Sequence, residues 1–443
     1  MASKAVGVGL VGFGTIGAGV AKVLIRNAGL IDARLGFPLR LVRIADLDLE
    51  TDRGVDLGGI RFDNDGADLL ADPDVDIVIE LVGGYDFARK LCLDAIANGK
   101  HVVTANKALL AVHGAEIFAA ASEAGVDVAF EAAVAGGIPI LRSLREGLAA
   151  NRIESVYGIL NGTTNFVLTE MERTGAEFEV MLKQAQELGY AEADPTFDVE
   201  GVDAAHKLAL LTSMAFGSTL DFESIPTEGI GALIPLDFES AAENGYRIKL
   251  LGIAKCHANA DGSDVIEARV HPTMIPRTSM LANVDGAMNA VAVRGDAVGP
   301  TLYYGAGAGE LPTASAVVGD LMELAREVRR GQAGRVAPLG FPEVALEPKP
   351  LLSLGDLISR CYVRIEALDR PGVLAKIAGA LGASGVGIES ITQRAPAVGE
   401  SSVPIVLWTH EVKESAVREA LASIDSLAEV VAKSNVVRIE EDL

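Results

Sequence analysis

The sequence predicts an α/β protein with three folded domains: a doubly wound parallel sheet, an α+β domain, and a C-terminal ferredoxin-like domain of βαββαβ order. Strands and helices alternate over residues 1–138, which is the pattern of a parallel sheet with helices on both faces. The alternation ends at about residue 139, and a proline-rich segment at residues 331–354 precedes the last part of the chain. The length of 443 residues also favours three domains, at roughly 150 residues each.

In the first domain, short apolar runs predict buried strands, and amphipathic stretches predict the helices between them. The predicted strands are Lys4 to Val11, Leu39 to Ala45, Val75 to Leu81, His101 to Thr104 and Val126 to Phe130, and the predicted helices are Thr15 to Asn27, Asp86 to Asn98 and Ala108 to Ala124. A loop insertion is expected around Ile31 to Pro38. We expect a helix at about residues 310–330 to complete this domain.

Residues 139–309 are expected to form the α+β domain. Its predicted helices are Pro139 to Ala150, Phe178 to Leu188 and Glu200 to Phe216, and its predicted strands include Ile153 to Leu160 and Val265 to Val270. The segment at residues 331–354 has the composition of a linker. Residues 355–443 then predict, in order, strand Tyr362 to Ala367, helix Val373 to Ser384, strands Gly387 to Thr392 and Val403 to Trp408, helix Lys413 to Ser423 and strand Val430 to Arg438.

The composition fits a folded protein of the reducing cytoplasm. Hydrophobic residues make up 49% of the chain, which supplies enough apolar surface for a core. The net charge of -23 repels phosphate groups, so neither nucleic acid nor an anionic membrane is an expected partner. The three cysteines show no spacing typical of disulfides or metal sites. Glycines interrupt the apolar run from Ala5 to Ala21, which disfavours a secretion signal.

A glycine-rich turn lies between the first predicted strand and its helix. In Gly12-Phe13-Gly14-Thr15-Ile16-Gly17, the glycines permit a tight turn and let the backbone approach a pyrophosphate. The helix N-terminus would face that anion. The spacing alone also fits a purely structural turn, but the flanking strand and helix favour a Rossmann-type dinucleotide site with these six residues as cofactor ligands.

Asp46, at the end of the second predicted strand, bears on which coenzyme binds. Its carboxylate can accept a hydrogen bond from a ribose 2′-hydroxyl and would repel a 2′-phosphate, which favours NAD. Arg40 and Arg43 lie close by in the sequence and could offset the repulsion, so NADP stays open as the alternative.

A dense set of carboxylates ends in one lysine in the stretch from Ala185 to Lys207. Asp203 and Lys207 are four positions apart, hence neighbours on one face of the predicted helix, and apolar residues continue that face. The apolar residues predict that this face points inward, whereas the spacing alone favours a solvated Asp–Lys pair, because such pairs are common on protein surfaces.

This stretch resembles the signature of the homoserine dehydrogenases at each of its fixed positions. Three more segments are similar to the family: Asn161-Gly-Thr-Thr-Asn165, Thr104-Ala-Asn-Lys107-Ala-Leu and Gly305-Ala-Gly-Ala-Gly309. The resemblance covers nearly the whole chain. It implies NAD- or NADP-dependent interconversion of L-homoserine and L-aspartate 4-semialdehyde, a step in threonine, methionine and isoleucine biosynthesis. We also expect a homodimer or homotetramer.

The resemblance implies roles for individual residues. Lys207 would be the acid/base for the hydroxyl proton, and Lys107 would orient the reacting oxygen and contact the cofactor. Glu192 and Asp203 would hold the substrate ammonium, with Asp198 as a supporting carboxylate. Gly189 and Gly309 would contact the coenzyme. A buried lysine of lowered pKa suits such proton transfer, and carboxylates suit an ammonium group. His206 is expected to be a packing residue, because it faces about 100° away from Lys207.

The segment from Glu131 to Ile138 resembles a monovalent-cation loop of the same family, in which main-chain carbonyls and a carboxylate hold sodium. The implied ligands are Glu131, Val134, Gly136 and Ile138, and oxygen ligands suit such a hard cation. A glycine-rich crossing into the next helix explains the glycines equally well.

Near the start of the tail, Asp369-Arg-Pro-Gly372-Val373-Leu374 resembles the ligand turn of ACT domains. The resemblance implies an amino-acid effector, with threonine as the expected one, bound by Asp369, Gly372, Val373 and Leu374. Gly372 would expose backbone amides at a helix start, where a carboxylate can bind. The alternative is a dimerisation module that uses the same fold without a ligand.

Two other functions share part of this sequence pattern. An aspartate-semialdehyde dehydrogenase would share the dinucleotide domain but would need an activated cysteine, and Cys92, Cys256 and Cys361 all lie away from the carboxylate stretch. A non-catalytic sensor of dinucleotide and amino acid would not need both Lys107 and Lys207.

Overall fold

The computed structural model describes residues 4–219, 222–258, 262–394 and 401–443. The chain forms two compact units. Unit 1 comprises Met1–Leu160, Ala205–Ile225 and Met288–Lys349, and unit 2 comprises Asn161–Ala204, Pro226–Ala287 and Pro350–Leu443. The expected α+β domain at residues 139–309 is thus divided between the two units.

The strands are β1 (Val6–Val11), β2 (Leu39–Ala45), β3 (Arg61–Asp63), β4 (Ile77–Glu80), β5 (His101–Thr104), β6 (Val128–Ala129), β7 (Ile153–Ile159), β8 (Tyr246–Ala258), β9 (Asp264–Pro276), β10 (Met288–Gly295), β11 (Gly299–Ala306), β12 (Ile358–Leu368), β13 (Ile388–Gln393), β14 (Ser402–Thr409), β15 (Val412–Lys413) and β16 (Asn435–Ile439). The helices are α1 (Thr15–Arg26), α2 (Ala28–Leu35), α3 (Gly66–Ala71), α4 (Asp86–Ala97), α5 (Lys107–Ala124), α6 (Ile140–Arg142), α7 (Gly162–Thr174), α8 (Phe178–Glu187), α9 (Thr196–Val199), α10 (Val202–Phe216), α11 (Pro235–Glu243), α12 (Glu310–Arg330), α13 (Val373–Ala383) and α14 (Glu414–Asp425).

Unit 1 is built on a six-stranded sheet in the order β3-β2-β1-β4-β5-β6. All of its neighbouring strands run parallel, as the sequence predicts. Strand β1 lies between β2 and β4, so the strand order reverses there. In such sheets the crevice at the carboxyl ends of the strands beside the reversal is where ligands bind. Unit 1 also contains the antiparallel order β11-β10-β7.

Helix α12 packs beside α1 on this sheet, although about 280 residues separate them in the sequence. Gly19 makes the close approach possible, because a Cβ there would lie 2.7 Å from the main-chain oxygen of Glu310. Val20, Val317 and Leu321 are buried in the shared core. The helix expected at about residues 310–330 therefore lies against the glycine-turn helix.

Unit 2 contains a sheet in the order β8-β9-β16-β12-β14-β13. Its last four strands belong to the tail, where the order β12-α13-β13-β14-α14-β16 is the predicted βαββαβ arrangement. The tail has its own apolar core, which includes Val363, Ile377 and Leu421. Its edge strand β16 pairs in parallel with β9, with Arg438 opposite Thr273 and Ile439 opposite Met274.

Buried ion pairs also connect the tail to the rest of unit 2. Arg269 of β9, with a side chain only 2% exposed, pairs with Glu440 and with Glu267. Arg438 pairs with Glu228 at 2.7 Å and with Glu414. The fully buried carboxylate of Asp237 accepts a hydrogen bond of 2.7 Å from the Tyr362 hydroxyl. The tail, with its own apolar core, is thus joined to the rest of unit 2 by a strand pairing and by buried polar contacts.

Two segments differ from the sequence expectation. The expected loop insertion at Ile31 to Pro38 largely forms helix α2, which Gly36 ends with a positive φ of 80°. The helix expected from Pro139 to Ala150 is only α6, followed by a π-helical turn at Ser143–Gly147. Within the described ranges, no helix is long and apolar enough to span a membrane.

Candidate active site

In the glycine turn between β1 and α1, steric contacts require glycine at two positions, Gly12 and Gly17. Gly12 has a φ of +97°, and a Cβ there would lie 2.5 Å from the main-chain oxygen of Leu81. A Cβ on Gly17 would lie 2.2 Å from the main-chain oxygen of Gly12, so only glycine lets the helix start this close to the turn. Gly14 is the N-cap residue of α1. A Cβ added to it would have no neighbour within 4 Å, so the space in front of the helix N-terminus is open. An anion can approach the exposed amides of Gly14 and Thr15 there, while Ile16 is half-buried.

Asp46 at the end of β2 is tied to this turn. Its carboxylate accepts a hydrogen bond from the amide of Phe13 through one oxygen, and one of 2.8 Å from the amide of Asp48 through the other. Neither arginine considered from the sequence reaches it. Arg40 forms a bidentate pair with Asp32, and the buried Arg43 pairs with Asp63 and Asp68.

The ends of β4 and β5 are joined by Glu80, which the sequence analysis did not single out. This fully buried carboxylate accepts hydrogen bonds from the amides of Val82 and Gly83 and from the hydroxyl of Thr104. Asn106 caps α5 through Leu109 and donates to the main-chain oxygen of Gly84. The two strand ends therefore form one connected edge, from which Lys107 starts α5 half-buried.

Lys207 lies on α10 with only 9% of the residue exposed. Its Nζ donates a hydrogen bond of 2.7 Å to the main-chain oxygen of Leu160, at the end of β7. Asp203, Leu210, Leu211 and Met214 of the same helix are also buried, so this face does point inward and the solvated-pair interpretation is wrong. His206 is buried and stacks on Phe222 with ring centroids 4.2 Å apart, which agrees with a packing role.

In unit 2, the side-chain nitrogen of Asn161 joins two of the predicted carboxylates. It donates a hydrogen bond of 2.7 Å to Asp198 and one of 2.9 Å to Asp203. The Asn161 side-chain oxygen accepts from the amide of Thr164 and so caps α7. The sequence analysis placed Asn161 in a family segment but did not name it as a site residue. Asparagine is a preferred N-cap, but this signal could be used only if the helix that follows Asn161 were predicted as well.

Glu192, the remaining predicted substrate residue, and Gly189, a predicted coenzyme residue, both lie on the segment that follows α8. Glu192 is exposed on the segment between α8 and α9, and its main-chain oxygen accepts a hydrogen bond from Gln186. Gly189 ends α8 with a φ of +76°. The Thr163 hydroxyl donates a hydrogen bond of 2.5 Å to the main-chain oxygen of Tyr190 and so anchors this segment to α7. Thr163 and Tyr190 were not predicted as site residues.

In the predicted cation loop, the Glu131 carboxylate is already engaged. Its two oxygens accept hydrogen bonds from the amides of Leu141 and Arg142. The loop then turns sharply, since Ala135 and Gly136 both have positive φ. A Cβ on Gly136 would lie 2.3 Å from the main-chain oxygen of Gly307, so this turn packs directly on the Gly305–Gly309 loop. Nearby, Gly309 begins α12 with a φ of +122°. Over the described ranges, no group of His, Cys, Asp or Glu side chains is arranged to hold a metal ion.

Asp320 of α12 is a second buried acid behind this loop. One oxygen accepts a hydrogen bond of 2.8 Å from the Glu131 amide, and the other lies 3.3 Å from the guanidinium of Arg142. Burial, together with the neighbouring Glu131 charge, raises the pKa of Asp320 to about 7.

Two of the three cysteines, Cys92 and Cys361, are unsuited to be the nucleophile of the rival semialdehyde reaction. Cys92 and Cys361 are buried, and burial raises the pKa of each thiol, to about 11 for Cys361. A protonated, buried thiol is inert, because the thiolate is the attacking species.

The tail has a cleft of about 360 Å³ at the predicted effector turn. Gly372 lies there at the start of α13 with a φ of +91°, and Leu374 is partly exposed while Val373 is buried. Asp369 accepts a hydrogen bond of 3.0 Å from the side chain of Gln393. The cleft is therefore lined by the four residues predicted from the sequence, together with Leu368, Arg370, Pro371, Gln393 and Ile405.

Three family models match the chain. They are described as the homoserine dehydrogenase NAD-binding domain over residues 12–131, homoserine dehydrogenase over residues 139–322 and the ACT domain over residues 362–429. A homoserine dehydrogenase of Pseudomonas aeruginosa is 50% identical over 438 residues, which cover 99% of each chain. The crystal structure of a homoserine dehydrogenase from Thiobacillus denitrificans matches with a TM-score of 0.91 at 51% identity, over 99% of each chain. A hyperthermophilic archaeal homoserine dehydrogenase in complex with NADPH shares the fold, with a TM-score of 0.59 and 23% identity over 76% of this chain and 99% of that chain.

Proposed function

Since the chain belongs to the homoserine dehydrogenase family and is therefore an NAD(P)-dependent oxidoreductase, we propose that Lys207 is its acid/base. The observation that carries this assignment is the burial of Lys207 on α10, with Nζ hydrogen-bonded to the main-chain oxygen of Leu160. That bond fixes the nitrogen in one place while leaving it able to donate or accept a proton elsewhere. A positioned group of this kind contributes a factor of about 10² to 10⁴ in rate.

In the direction of oxidation, the hydroxyl proton of L-homoserine passes to neutral Lys207. A bound nicotinamide would supply the acceptor for a hydride from C4 of the substrate. The alcohol would thus lose its hydroxyl hydrogen as a proton and one C4 hydrogen as a hydride. Lys107, at the start of α5, orients the reacting oxygen. The product is L-aspartate 4-semialdehyde, and Lys207 is left as the ammonium ion.

Asp203 and Glu192 hold the substrate ammonium in this proposal, and Asp198 supports them. The Asn161 side chain donates to Asp198 and Asp203 together, so it keeps the two negative charges side by side in fixed positions. A carboxylate accepts up to about four hydrogen bonds, so one carboxylate can receive the Asn161 amide and an ammonium group together. Charge-assisted hydrogen bonds of this kind are the strong ones.

The test is a coupled titration of the purified protein with L-homoserine and each coenzyme, followed at the nicotinamide absorbance band. We expect absorbance to rise with homoserine and not with L-serine or L-threonine. A non-catalytic sensor would give calorimetric binding of both ligands and no absorbance change, which would refute the assignment of an acid/base.

For the coenzyme, we propose that NAD is used through Asp46 and that NADP is also accepted. Asp46 ends β2 beside the glycine turn, where the ribose of a dinucleotide lies in this fold. The archaeal relative was solved with NADPH, which is a property of that protein. Gly12, Phe13, Gly14, Thr15, Ile16 and Gly17 would hold the pyrophosphate, and Gly189, Gly309 and Lys107 would approach the nicotinamide.

For the monovalent cation, we propose that main-chain oxygens of Glu131, Val134, Gly136 and Ile138 form the site. The Glu131 carboxylate accepts one backbone amide on each oxygen, and in this proposal it supplies negative charge next to the main-chain ligands. The fit is supported by one orphaned oxygen: among the described residues, Oδ1 of buried Asn289 has no hydrogen-bond partner, and a Cβ on neighbouring Gly307 would overlap that side chain. The free energy of unfolding should be larger in sodium chloride than in tetramethylammonium chloride at the same ionic strength.

For the tail, we propose that threonine binds at Asp369, Gly372, Val373 and Leu374 and inhibits the dehydrogenase. The threonine carboxylate would meet the amides at the start of α13, and its ammonium would meet Asp369. Calorimetry with threonine, and turnover with and without it, test the two halves separately. Binding without inhibition would make the tail a non-regulatory ligand module, and no binding would make it a dimerisation module.

The remaining proposals concern cellular context. The reaction would serve threonine, methionine and isoleucine biosynthesis in the cytoplasm, and the protein would act as a homodimer or homotetramer. Light scattering of the purified protein tests the last point directly.

A further inference from the structure

Arg53, in the loop after β2, lies beside the coenzyme turn and has no part in the mechanism above. Its guanidinium carbon is 5.3 Å from the ring centre of Phe13, the residue between the first two glycines of the turn. Its side chain is only 11% exposed. Phe13 is itself buried and packs edge-on against Phe62. The cation therefore rests on a fixed aromatic surface inside the turn rather than in open solvent.

The edge of the same guanidinium is held by acceptors of its own loop. It donates a hydrogen bond of 2.7 Å to the main-chain oxygen of Thr51 and one of 3.1 Å to the carboxylate of Asp48. It also lies 3.9 Å from the nearer oxygen of Asp46. Arg53 thus brings positive charge to the carboxylate that is expected to receive the ribose, whereas Arg40 and Arg43 are bound to other aspartates.

We propose that Arg53 is the residue that recognises the 2′-phosphate of NADP and so decides how well this chain uses that coenzyme. Its position next to Asp46 is where a 2′-substituent of the ribose would lie, and a guanidinium is planar and suits a phosphate. With NAD, Arg53 stays on Asp48 and Thr51 and the ribose hydroxyl uses Asp46. With NADP, the 2′-phosphate takes the place of Asp48 as partner of Arg53. The inference rests on the proposed dinucleotide turn but not on the acid/base assignment.

The exchange of partners predicts opposite effects for two substitutions. Arg53→Gln removes the positive charge and should weaken binding of the 2′-phosphate. Asp48→Asn removes the competing anion, which is half exposed, and should strengthen it. Arg61→Gln is a matched control, because Arg61 is an exposed arginine of neighbouring β3 that pairs with Asp63 and Asp68 and lies outside this contact set.

The experiment is calorimetric titration of each full-length variant with adenosine 2′,5′-bisphosphate and with 5′-AMP, which needs no turnover. We expect Arg53→Gln to lower the affinity for the bisphosphate about 10-fold or more, which is the range for one charge-assisted hydrogen bond. The affinity for 5′-AMP should fall less than about threefold. Asp48→Asn should tighten the bisphosphate alone, and Arg61→Gln should change neither ligand.

Equal weakening of both nucleotides by Arg53→Gln would show that Arg53 only supports the turn, and no change in either would show that it lies outside the site. Both results overturn the proposal. Arg53→Lys retains the charge without the planar edge, so it should lose less affinity than Arg53→Gln. If Arg53→Gln does not fold, Arg53→Lys and Asp48→Asn decide the matter, because an unchanged bisphosphate affinity in both refutes it.

Discussion

The side-chain nitrogen of Lys207 donates a hydrogen bond of 2.7 Å to the main-chain oxygen of Leu160, across 47 positions of sequence. This bond joins the first half of α10 to the end of β7. A main-chain oxygen does not titrate, so this acceptor stays the same at every pH. It therefore orients the lysine nitrogen without the help of a carboxylate. The relationship explains how a flexible side chain can hold a proton-transfer group in one position.

Replacing Lys207 by Ala should lower kcat by about 10² to 10⁴, since a positioned acid/base is lost. Coenzyme binding, measured by the fluorescence of the reduced nicotinamide, should stay within about threefold of the unmodified protein. Lys183→Ala, which removes an exposed lysine of α8, serves as the control and should keep full turnover. Near-normal kcat in Lys207→Ala would exclude Lys207 as the acid/base.

Glu192→Gln should raise KM for homoserine about 10-fold while leaving KM for the coenzyme unchanged, because a neutral amide pairs poorly with an ammonium group. Glu187→Gln, an equally conservative change on an exposed residue nearby, should alter neither constant. Steady-state kinetics with both substrates varied give the two values. A parallel rise in both KM values would mean that Glu192 supports the fold of its segment instead.

Asp46→Ser should raise the ratio of kcat/KM for NADP to that for NAD on the order of 10-fold, or about 1.4 kcal/mol. Serine keeps a hydroxyl at the end of β2 but removes the negative charge that would repel a 2′-phosphate. Specificity constants for both coenzymes measure the shift. If the unmodified enzyme does not use NAD at all, Asp46 does not serve the ribose hydroxyl.

Asp320 should make the protein less stable as the pH rises from about 4 to about 7. Its folded pKa is raised to about 7, above the ordinary value of 3.8, by burial and then by the Glu131 charge. The folded state therefore keeps a proton that the unfolded state releases, and stability falls across that window. Urea unfolding at pH 5 and pH 7.5 should show a larger loss for the unmodified protein than for Asp320→Asn. The exposed control Glu123→Gln should follow the unmodified protein, and an identical loss in Asp320→Asn would refute the assignment.

Glu440→Gln should destabilise the protein by about 3 kcal/mol, since it leaves the buried Arg269 guanidinium with Glu267 as its remaining carboxylate. Chemical unfolding monitored through Trp408, which lies on β14 in the same unit, reports the loss. Glu419→Gln on the exposed side of α14 is the matched control. A change below about 0.5 kcal/mol would show that Arg269 is adequately paired by Glu267 alone.

The elements that could be predicted from the sequence are those whose pattern is local. Strands β2 and β5 begin and end as predicted, because each is a short apolar run with polar residues or turns on both sides. Helix α7 was missed because its apolar positions are interleaved with threonines and asparagines, residues that lower helix propensity. Tertiary contacts hold it, since most of its residues are buried.

The sequence predicts the candidate residues that would themselves react or bind the substrate. It does not predict the residues that hold those side chains in position. Lys207, Asp198 and Asp203 were predicted from their family stretch. Asn161 could not be assigned a partner, because its bond to Asp203 closes over 42 positions of sequence. Likewise Arg53 was passed over for Arg40 and Arg43, which are closer to Asp46 along the chain but face other aspartates.

The parallel pairing of β16 with β9 makes the order of synthesis matter for folding. Strand β9 leaves the ribosome early, yet its neighbour in the sheet is made only after the whole tail has followed. Until then the nascent chain carries an open strand edge next to Arg269, whose second carboxylate partner, Glu440, has not yet been made. Chaperones bind such an edge, and aggregation starts from it. By the same reasoning, a protease that nicks the chain between residues 331 and 349 would not release the tail. The fragment would stay attached through its last strand, and the nick would be visible only after denaturation.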